Sequence, residues 1–359
     1  MTLSAERELT AARAEPGSRP AGGRTLVLVA GSGRSGTSLF TGIMQRLGFH
    51  VPQPEVSADA TNPRGFAESK WVVDFHDGLL KRAGVQVADA RPSAWAKTAR
   101  VAHDDAVRRE LRNWLASEFA GAENVIIKDP RLSWFLPLWR QCAEELGAMP
   151  RFVTVLRHPA AVVDSKQRSY GNWQGDVERT AGWVNQALFT ERATRGGVRI
   201  FVKYQDLLED WTKEIARTGD QLDLSLIREV PASKITQTHE FIDRSLARSR
   251  ESWDDFEIPQ GLRELADETW ELVAALAAGE SSQESQERLD AARAAYIRLY
   301  EDAEAIAQSS VTAARKAGGA RQSRLVGVAR KVPKRYRRKL PLRWRVAVAR
   351  ALTRTAPGR

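Results

Sequence analysis

The chain has 359 residues, of which 42% are hydrophobic and 28% are charged, so it can build one large domain or two modest ones. It contains no run of eighteen apolar residues and no apolar signal core, so we expect no membrane-spanning segment and a disordered leader over residues 1–24. The one cysteine, Cys142, excludes an internal disulfide framework and favours a reducing compartment, so we expect a cytoplasmic protein.

The net positive charge of the chain comes from its C-terminal end. The formal net charge is +10, yet no acidic residue follows Glu304, and sixteen Lys or Arg residues lie between Arg315 and Arg359. Residues 1–304 are mildly acidic, with 39 basic against 45 acidic residues. The high net charge is therefore a property of a basic tail, residues 309–359, and does not indicate nucleic-acid binding by the body of the chain.

The first predicted unit is a strand, a glycine-rich turn and a helix. Leu26–Ala30 is an apolar run typical of a buried strand, and the helix that follows has one apolar face and ends near Gly48. The turn between them, Gly31–Gly36, contains three glycines. A glycine turn that leads into a helix presents backbone N–H groups and the positive end of the helix dipole to an anion. The unit therefore predicts a phosphate-binding site.

The spacing of this turn is that of a P-loop without its lysine. Gly31 and Gly36 are correctly separated for G-x-x-x-x-G-K-[ST], but Thr37 stands where the lysine should be, and the cation of the turn is Arg34. Because a P-loop NTPase places its lysine on the β- and γ-phosphates, Arg34 is positioned for a shorter anionic chain. A degenerate NTPase or kinase loop, or a turn without a ligand, stays open as the alternative.

A proline-containing loop, Phe49–Ala67, leads to an amphipathic helix predicted over Ser69–Ala83. Glu68 stands at or near the start of this helix, which is a natural position for a group that faces an acceptor. The favourable interaction of acidic residues with the first turn of a helix would explain Glu68 equally well. The next residues, Val85–Ala102, are predicted to be irregular and to form part of an acceptor wall.

Three further strands are predicted at Asn124–Ile127, Phe152–Leu156 and Ile200–Lys203, with a helix over Asp104–Ala120. Polar residues follow each strand, namely Lys128 and Arg131, then Arg157, then Tyr204. Strands that alternate with helices predict a parallel sheet covered on both faces, with ligands at the C-terminal strand ends. The strand order is not readable from the sequence.

The C-terminal half beyond Gln221 has a helical pattern as far as Ser310. It is clearest in Glu264–Ala277 and Gln283–Gln308. We therefore predict an α/β fold over residues 25–308, in which a P-loop-like parallel sheet is flanked by helices and followed by a helical C-terminal region and the basic tail.

Several segments resemble the signatures of sulfotransferases that use 3′-phosphoadenosine 5′-phosphosulfate (PAPS). Gly31–Ser38 resembles their 5′-phosphosulfate loop, and RHPAAVVDS at Arg157–Ser165 resembles their 3′-phosphate signature. Tyr204–Leu207 is similar to the YEDL segment, with Gln205 in place of Glu. NPRGFAES at Asn62–Ser69 and KDPR at Lys128–Arg131 resemble segments of a bacterial branch of the family. The resemblance covers residues 25–210.

This resemblance implies a role for each candidate residue. The nucleotide would be bound by Ser32, Gly33, Arg34, Ser35, Gly36, Thr37, Ser38, Arg157, Ser165 and Tyr204. Arg34 would also stabilise the leaving bridging oxygen, and Glu68 would take the acceptor proton, with His76 as the rival base. Lys128 and Arg131 would neutralise the nucleotide or bind an acidic acceptor. The family needs no metal, because a sulfuryl group carries less charge than a phosphoryl group.

The acceptor implied by the resemblance is a hydroxyl group, which we expect on a carbohydrate or glycolipid. The basic tail carries Tyr336 and Trp344 among its cations, a composition that suits an anionic membrane surface. We therefore expect a peripheral position on the inner membrane face and no nucleic-acid partner. Two other functions stay open: a P-loop kinase or NTPase, and a non-catalytic nucleotide- or membrane-binding protein of the same fold.

Overall fold

Four parallel strands form the sheet around which the described residues are arranged. The computed structural model describes residues 23–59, 61–171, 174–242 and 251–331, with side chains as far as residue 316. The strands are β1 Thr25–Ala30, β2 Asn124–Lys128, β3 Met149–Leu156 and β4 Arg199–Lys203. Their order is β2-β1-β3-β4, and each neighbouring pair is parallel. All four C-terminal ends therefore lie at the same edge, as the sequence predicted.

Helices connect the strands and cover both faces of the sheet. Those described are α1 Thr37–Leu47, α2 Lys70–Ala83, α3 Ser93–Ala102, α4 Asp105–Gly121, α5 Leu136–Glu145, α6 Pro159–Tyr170, α7 Asp176–Thr194, α8 Tyr204–Glu209, α9 Trp211–Gln221, α10 Ser225–Arg228, α11 Ala232–Phe241, α12 Gln260–Ala277 and α13 Gln283–Lys331. A 3-10 turn, Leu132–Phe135, precedes α5. The predicted α/β fold, a parallel sheet flanked by helices, is confirmed.

The central strand β1 is buried along its whole length, and its two faces contact different parts of the core. Because successive side chains of a strand point to opposite faces, Leu26 and Leu28 pack in an apolar cluster with residues of α2, α4 and α5. Val27 and Val29 pack on the other face with residues of α1 and α9. The glycine-rich turn that follows β1 is therefore anchored between two packed layers.

The segment Val85–Ala102, predicted to be irregular, contains the ten-residue helix α3, Ser93–Ala102. The prediction was wrong: the helix is short, it follows Pro92, and its buried residues are the small Ala94 and Thr98. Its larger side chain, Trp95, stacks on Phe189 of α7 with ring centroids 4.9 Å apart. Long-range packing thus stabilises this short helix.

The contacts divide the chain into two compact units, Met1–Ile297 and Arg298–Arg359. The first contains the sheet and both apolar clusters. The second is helical in its described part. The helix α13 ends at Lys331, well beyond its predicted end at Gln308. The predicted limits at residues 25, 308 and 309 stay predictions, and the leader up to residue 22 and the tail from residue 332 lie outside the described residues. Within the described ranges, no helix is both long and apolar enough to span a membrane.

Candidate functional site

A cleft of about 1490 Å³ opens at the C-terminal edge of the sheet. Its wall includes residues that belong to or follow all four strand ends: Arg34 after β1, Lys128 in β2, Arg157 after β3 and Tyr204 after β4. This edge is where open parallel sheets bind their ligands. The volume exceeds the roughly 300–1,000 Å³ of an ordinary small-molecule pocket, so the cleft has room for two reactants.

The charge of the cleft wall is strongly positive. Of the residues that the structure describes, nine basic side chains line it, which are Arg34, Arg64, Lys81, Lys128, Arg131, Arg157, Lys166, Arg168 and Arg179. The acidic side chains of the wall, within the same described ranges, are Glu68 and Asp77. Because like charges in a cleft with low-dielectric walls reinforce one another, the cleft attracts anions even though the body of the chain is mildly acidic.

The turn after β1 is shaped for close contact with such an anion. Gly31 has φ 145 and Gly36 has φ 98, and a Cβ atom at Gly36 would collide with the ring of Tyr204. Gly36 is also the N-cap of α1, so no side chain caps the helix. The first backbone N–H groups of α1 are left for a ligand, and Thr37, Ser38 and Leu39 line the cleft there.

The two predicted nucleotide signatures meet at Arg34. Its Nε donates to Ser165 Oγ at 3.1 Å, and its Nη1 donates to the Thr61 carbonyl oxygen at 3.0 Å. Arg157 Nη1 donates to the Arg34 carbonyl oxygen at 3.0 Å, and its guanidinium lies 4.6 Å from the centroid of the Tyr204 ring. Residues separated by more than 120 positions in the chain are therefore brought to one point.

Not every residue of the turn faces the cleft. Gly33, Arg34, Gly36, Thr37 and Ser38 line it, whereas Ser32 and Ser35 are buried and do not line it.

Glu68 lies in the cleft wall beside Lys128, which is its closest charged partner. Lys128 Nζ is 2.5 Å from Glu68 Oε1, and it also donates to Ser38 Oγ at 2.9 Å and to the Phe66 carbonyl oxygen at 3.2 Å. Ser69 is the N-cap of α2, so Glu68 precedes the helix and its carboxylate turns inward. The explanation of Glu68 as an ordinary helix-start residue is therefore not needed.

The environment of Glu68 suits a group that accepts a proton. Its side chain is almost fully buried, at 7% exposure. Burial raises the pKa of the Glu68 carboxyl above its usual value, although the Lys128 ammonium opposes this. A base works best when its pKa approaches the working pH, and strongly shifted carboxyls in clefts are candidates for catalysis.

Arg131 lines the cleft but is held by two carboxylates. Its Nη1 is 3.0 Å from Asp129 Oδ1, and its Nε is 2.5 Å from Asp77 Oδ1. Burial alone would raise the pKa of Asp129, but the hydrogen bond with His76 and the charge of Arg131 hold it below its usual range. Arg131 is therefore paired with Asp129 and Asp77, whereas Lys128 is paired with Glu68.

His76 is fully buried and does not line the cleft. Its Nδ1 is 3.0 Å from Asp129 Oδ2, and Trp139 Nε1 donates to its Nε2 at 2.9 Å. Both ring nitrogens are thus engaged inside the fold, and neither can reach an acceptor hydroxyl. The geometry favours Glu68 over His76 as the base.

We expect His76→Phe to lower the free energy of unfolding by about 2–4 kcal/mol, because Asp129 and Trp139 would each lose a buried partner. Equilibrium denaturation in urea measures this. His103→Phe, at an exposed position after α3, is the matched control and should change stability by less than about 0.5 kcal/mol. An equally small effect at position 76 would contradict the structural role of His76.

Two buried cationic residues of the cleft were not assigned a role from the sequence. Lys166 follows Ser165 on α6, and Arg179 lies on α7. Both are buried at the cleft wall. Adjacency to Ser165 was a usable signal for Lys166, because the next residue of the same helical turn lies near the same end of β3. Arg179 has no local motif that distinguishes it from an ordinary helical arginine.

In the ranges that the structure covers, no group of three or more His, Cys, Asp or Glu side chains is arranged to hold a metal ion.

Comparisons with known proteins assign no family to the chain. No protein-family model matches it, and no curated protein matches it. Among solved structures, it is similar to the sulfotransferase domain of the olefin synthase of Synechococcus PCC 7002. That similarity has 18% sequence identity and a TM-score of 0.43, and it covers 72% of this chain and 98% of that one. A likeness at this level does not decide the function.

Proposed function

We propose that the protein is a sulfotransferase that moves a sulfuryl group from PAPS to a hydroxyl acceptor. The observation that carries the proposal is the meeting of Arg34, Arg157 and Ser165 in one basic cleft, beside the buried carboxylate of Glu68. The sequence resemblance assigns the same four residues to the two phosphate ends of the nucleotide and to the base. The contacts are consistent with each of these assignments.

The cleft offers separate positions for the two anionic ends of PAPS. The uncapped N-terminus of α1 and the turn before it suit the 5′-phosphosulfate. Arg157 and Ser165 would hold the 3′-phosphate, because a guanidinium offers a planar fork of donors and a hydroxyl adds a hydrogen bond without bulk. The ring of Tyr204, in contact with Arg157, would fix the orientation of that guanidinium.

The reaction requires a base, a cation on the leaving oxygen and an aligned acceptor. PAPS supplies the sulfuryl group, whose bond to the bridging oxygen breaks as a bond to the acceptor oxygen forms. Glu68 would take the hydroxyl proton, and Lys128 would hold its carboxylate in position. Arg34 would neutralise the negative charge that the bridging oxygen gains. This division of roles needs no group beyond the two reactants and the chain.

The acceptor is proposed only at the level of its chemical class. Loop residues 61–66 and 85–88 line the outer cleft, and loops built in this way bind varied ligands. A carbohydrate or glycolipid hydroxyl fits a wall that mixes polar and apolar side chains. The membrane association of the basic tail concerns residues that lie largely outside the described ranges, and it stays a prediction.

Calorimetric titration with adenosine 3′,5′-bisphosphate, without magnesium, tests the proposal. We expect micromolar binding and at least tenfold weaker binding of 5′-AMP, because a charged hydrogen bond contributes about 1.5–3 kcal/mol. Equal binding of the two nucleotides would contradict the proposal. Tight binding of ATP that requires magnesium would instead favour the P-loop kinase or NTPase.

Arg157→Ala should weaken binding of the bisphosphate by about 10- to 100-fold and leave the affinity for 5′-AMP nearly unchanged, because the lost contact is to the 3′-phosphate. The same titration measures both affinities. Arg100→Ala, at an exposed position of α3, is the matched control and should bind like the unmodified protein. If Arg157→Ala keeps the preference for the bisphosphate over 5′-AMP, Arg157 does not bind the 3′-phosphate.

A further inference from the structure

A buried ammonium group lies next to the phosphate-binding turn and has no acidic partner there. Lys166 is 6% exposed and lines the cleft. Its Nζ donates to Ser32 Oγ at 3.1 Å, and in the described part of the chain no carboxylate lies within ion-pair distance of it. A buried charge without a counter-charge is costly. A buried ammonium without a counter-charge at the wall of a cleft is therefore expected to bind an anionic ligand.

The charged groups around Lys166 are mostly cations. Arg34 belongs to the turn, Arg157 follows β3, Arg168 lies on the same helix, and Arg179 lies on α7. The nearby acids are already engaged, since Asp164 is 2.8 Å from Arg168 and Asp176 is 3.8 Å from Arg179. The other acids of the cleft wall are Glu68, paired with Lys128, and Asp77, paired with Arg131. None of these supplies a counter-charge to Lys166.

We propose that Lys166 is a second cation of the phosphate-binding turn, supplied by helix α6, and that it binds the 5′-phosphosulfate side of the donor. The inference rests on the proposed function and extends it to a residue that the sequence did not assign. Ser32 Oγ accepts a hydrogen bond from the ammonium and holds it beside the turn, where Lys166 also lines the cleft. Lys166 thus provides from a neighbouring helix the positive charge that a P-loop NTPase carries at the position of Thr37.

The protonation of Lys166 gives this role a measurable signature. Burial, and then the charge of Arg179, lower the pKa of Lys166 from 10.5 to about 8. An oxyanion beside the ammonium favours its charged form and raises this pKa again. Binding therefore takes up protons at a pH near or above about 8, and affinity for the anion falls as pH rises through that range.

The first experiment measures this proton uptake on the unmodified full-length protein. Adenosine 3′,5′-bisphosphate is titrated at about pH 8.5, well above the phosphate pKa of about 6, in buffers of different ionisation enthalpy. We expect uptake of at least about half a proton per nucleotide bound. Adenosine 3′-monophosphate, which lacks the 5′-phosphate, should bind with much less uptake. Equal uptake with both nucleotides, or no uptake with either, would overturn the assignment.

The second experiment compares variants of Lys166. Lys166→Met should bind the bisphosphate about 10- to 100-fold more weakly and adenosine 3′-monophosphate with unchanged affinity. Lys166→Arg should restore much of the affinity but not the proton uptake, because an arginine stays charged throughout this range. Lys213→Met, at an exposed position of α9, is the matched control. If Lys166→Met does not fold, the proton uptake of the unmodified protein still decides.

The outcomes separate this inference from the proposed function. If Lys166→Met binds the bisphosphate as tightly as the unmodified protein, the role of Lys166 is rejected and the proposed donor site is not contradicted. If the unmodified protein does not bind the bisphosphate, inorganic pyrophosphate is titrated in the same way. Pyrophosphate binding that depends on Lys166 would keep the anion site and reject PAPS, and absence of binding would reject both.

Discussion

Glu68→Gln should lower the turnover of PAPS about 100- to 10,000-fold, which is the usual contribution of a general base. The amide keeps the size of the side chain but cannot accept the hydroxyl proton. Because the base does not contact the nucleotide in the proposed reaction, the affinity for adenosine 3′,5′-bisphosphate should change little. Turnover is measured as sulfate transfer to an acceptor that the unmodified protein sulfates, and affinity by calorimetry.

The pH profile of turnover gives an independent check on Glu68. The carboxylate must be ionised to accept a proton, so the rate should fall as pH drops through the pKa of Glu68. Burial raises that pKa above the ordinary 4.5, so the acid limb of the profile should lie at higher pH than that of an exposed glutamate. In Glu68→Gln the residual activity should lose this limb.

The control for Glu68 is Glu110→Gln, at an exposed position of α4, which should keep full turnover and the same acid limb. Full activity of Glu68→Gln would show that Glu68 is not the base. A collapse of nucleotide affinity together with turnover would show instead that the Glu68–Lys128 pair holds the turn, since Lys128 also donates to Ser38.

Arg34→Ala should lower turnover about 100- to 1,000-fold, which is the effect of removing one donor from a developing negative charge. Affinity for the product nucleotide should fall by less than about tenfold, because the charge on the bridging oxygen is largest during transfer. Single-turnover transfer and bisphosphate titration measure the two effects separately. Unchanged turnover would exclude Arg34 from the mechanism.

The contacts of Arg34 make a conservative variant informative. Its guanidinium donates to Ser165 and to the carbonyl of Thr61, so the alanine variant also releases these two segments. Arg34→Lys keeps a positive charge and should retain more turnover than Arg34→Ala. If both variants lose nucleotide affinity to the same extent as turnover, the residue acts mainly by holding the turn and Ser165 together.

Much of the fold was predictable because its signals are local. The apolar strands, the glycine turn and the amphipathic helices each occupy one continuous segment, and the predicted parallel sheet is confirmed. The helix α3 was not predictable, since small residues such as Ala94 form its buried face. Strand order depends on packing between distant segments, which leaves no pattern within a strand.

The candidate site was predictable where a residue lies at a strand end or in a motif. Arg34, Arg157 and Ser165 were selected on that basis, and the structure brings them together. The pairing of Glu68 with Lys128 joins residues 60 positions apart, so no local pattern reveals it. His76 shows the converse: the sequence made it the rival base to Glu68, while burial and two hydrogen bonds indicate a structural role.

The pairing of the strands has a consequence for the order of folding. β1 pairs with β2 through Thr25 and Asn124, and with β3 through Thr25 and Met149. The sheet therefore forms only after segments that are far apart in the chain have met, which is typical of proteins that fold slowly. The cleft does not exist before these pairings form, so a nucleotide held as proposed would bind the native state alone and would stabilise it by mass action. Melting temperature should rise with bisphosphate concentration, while the early refolding rate should not respond to it.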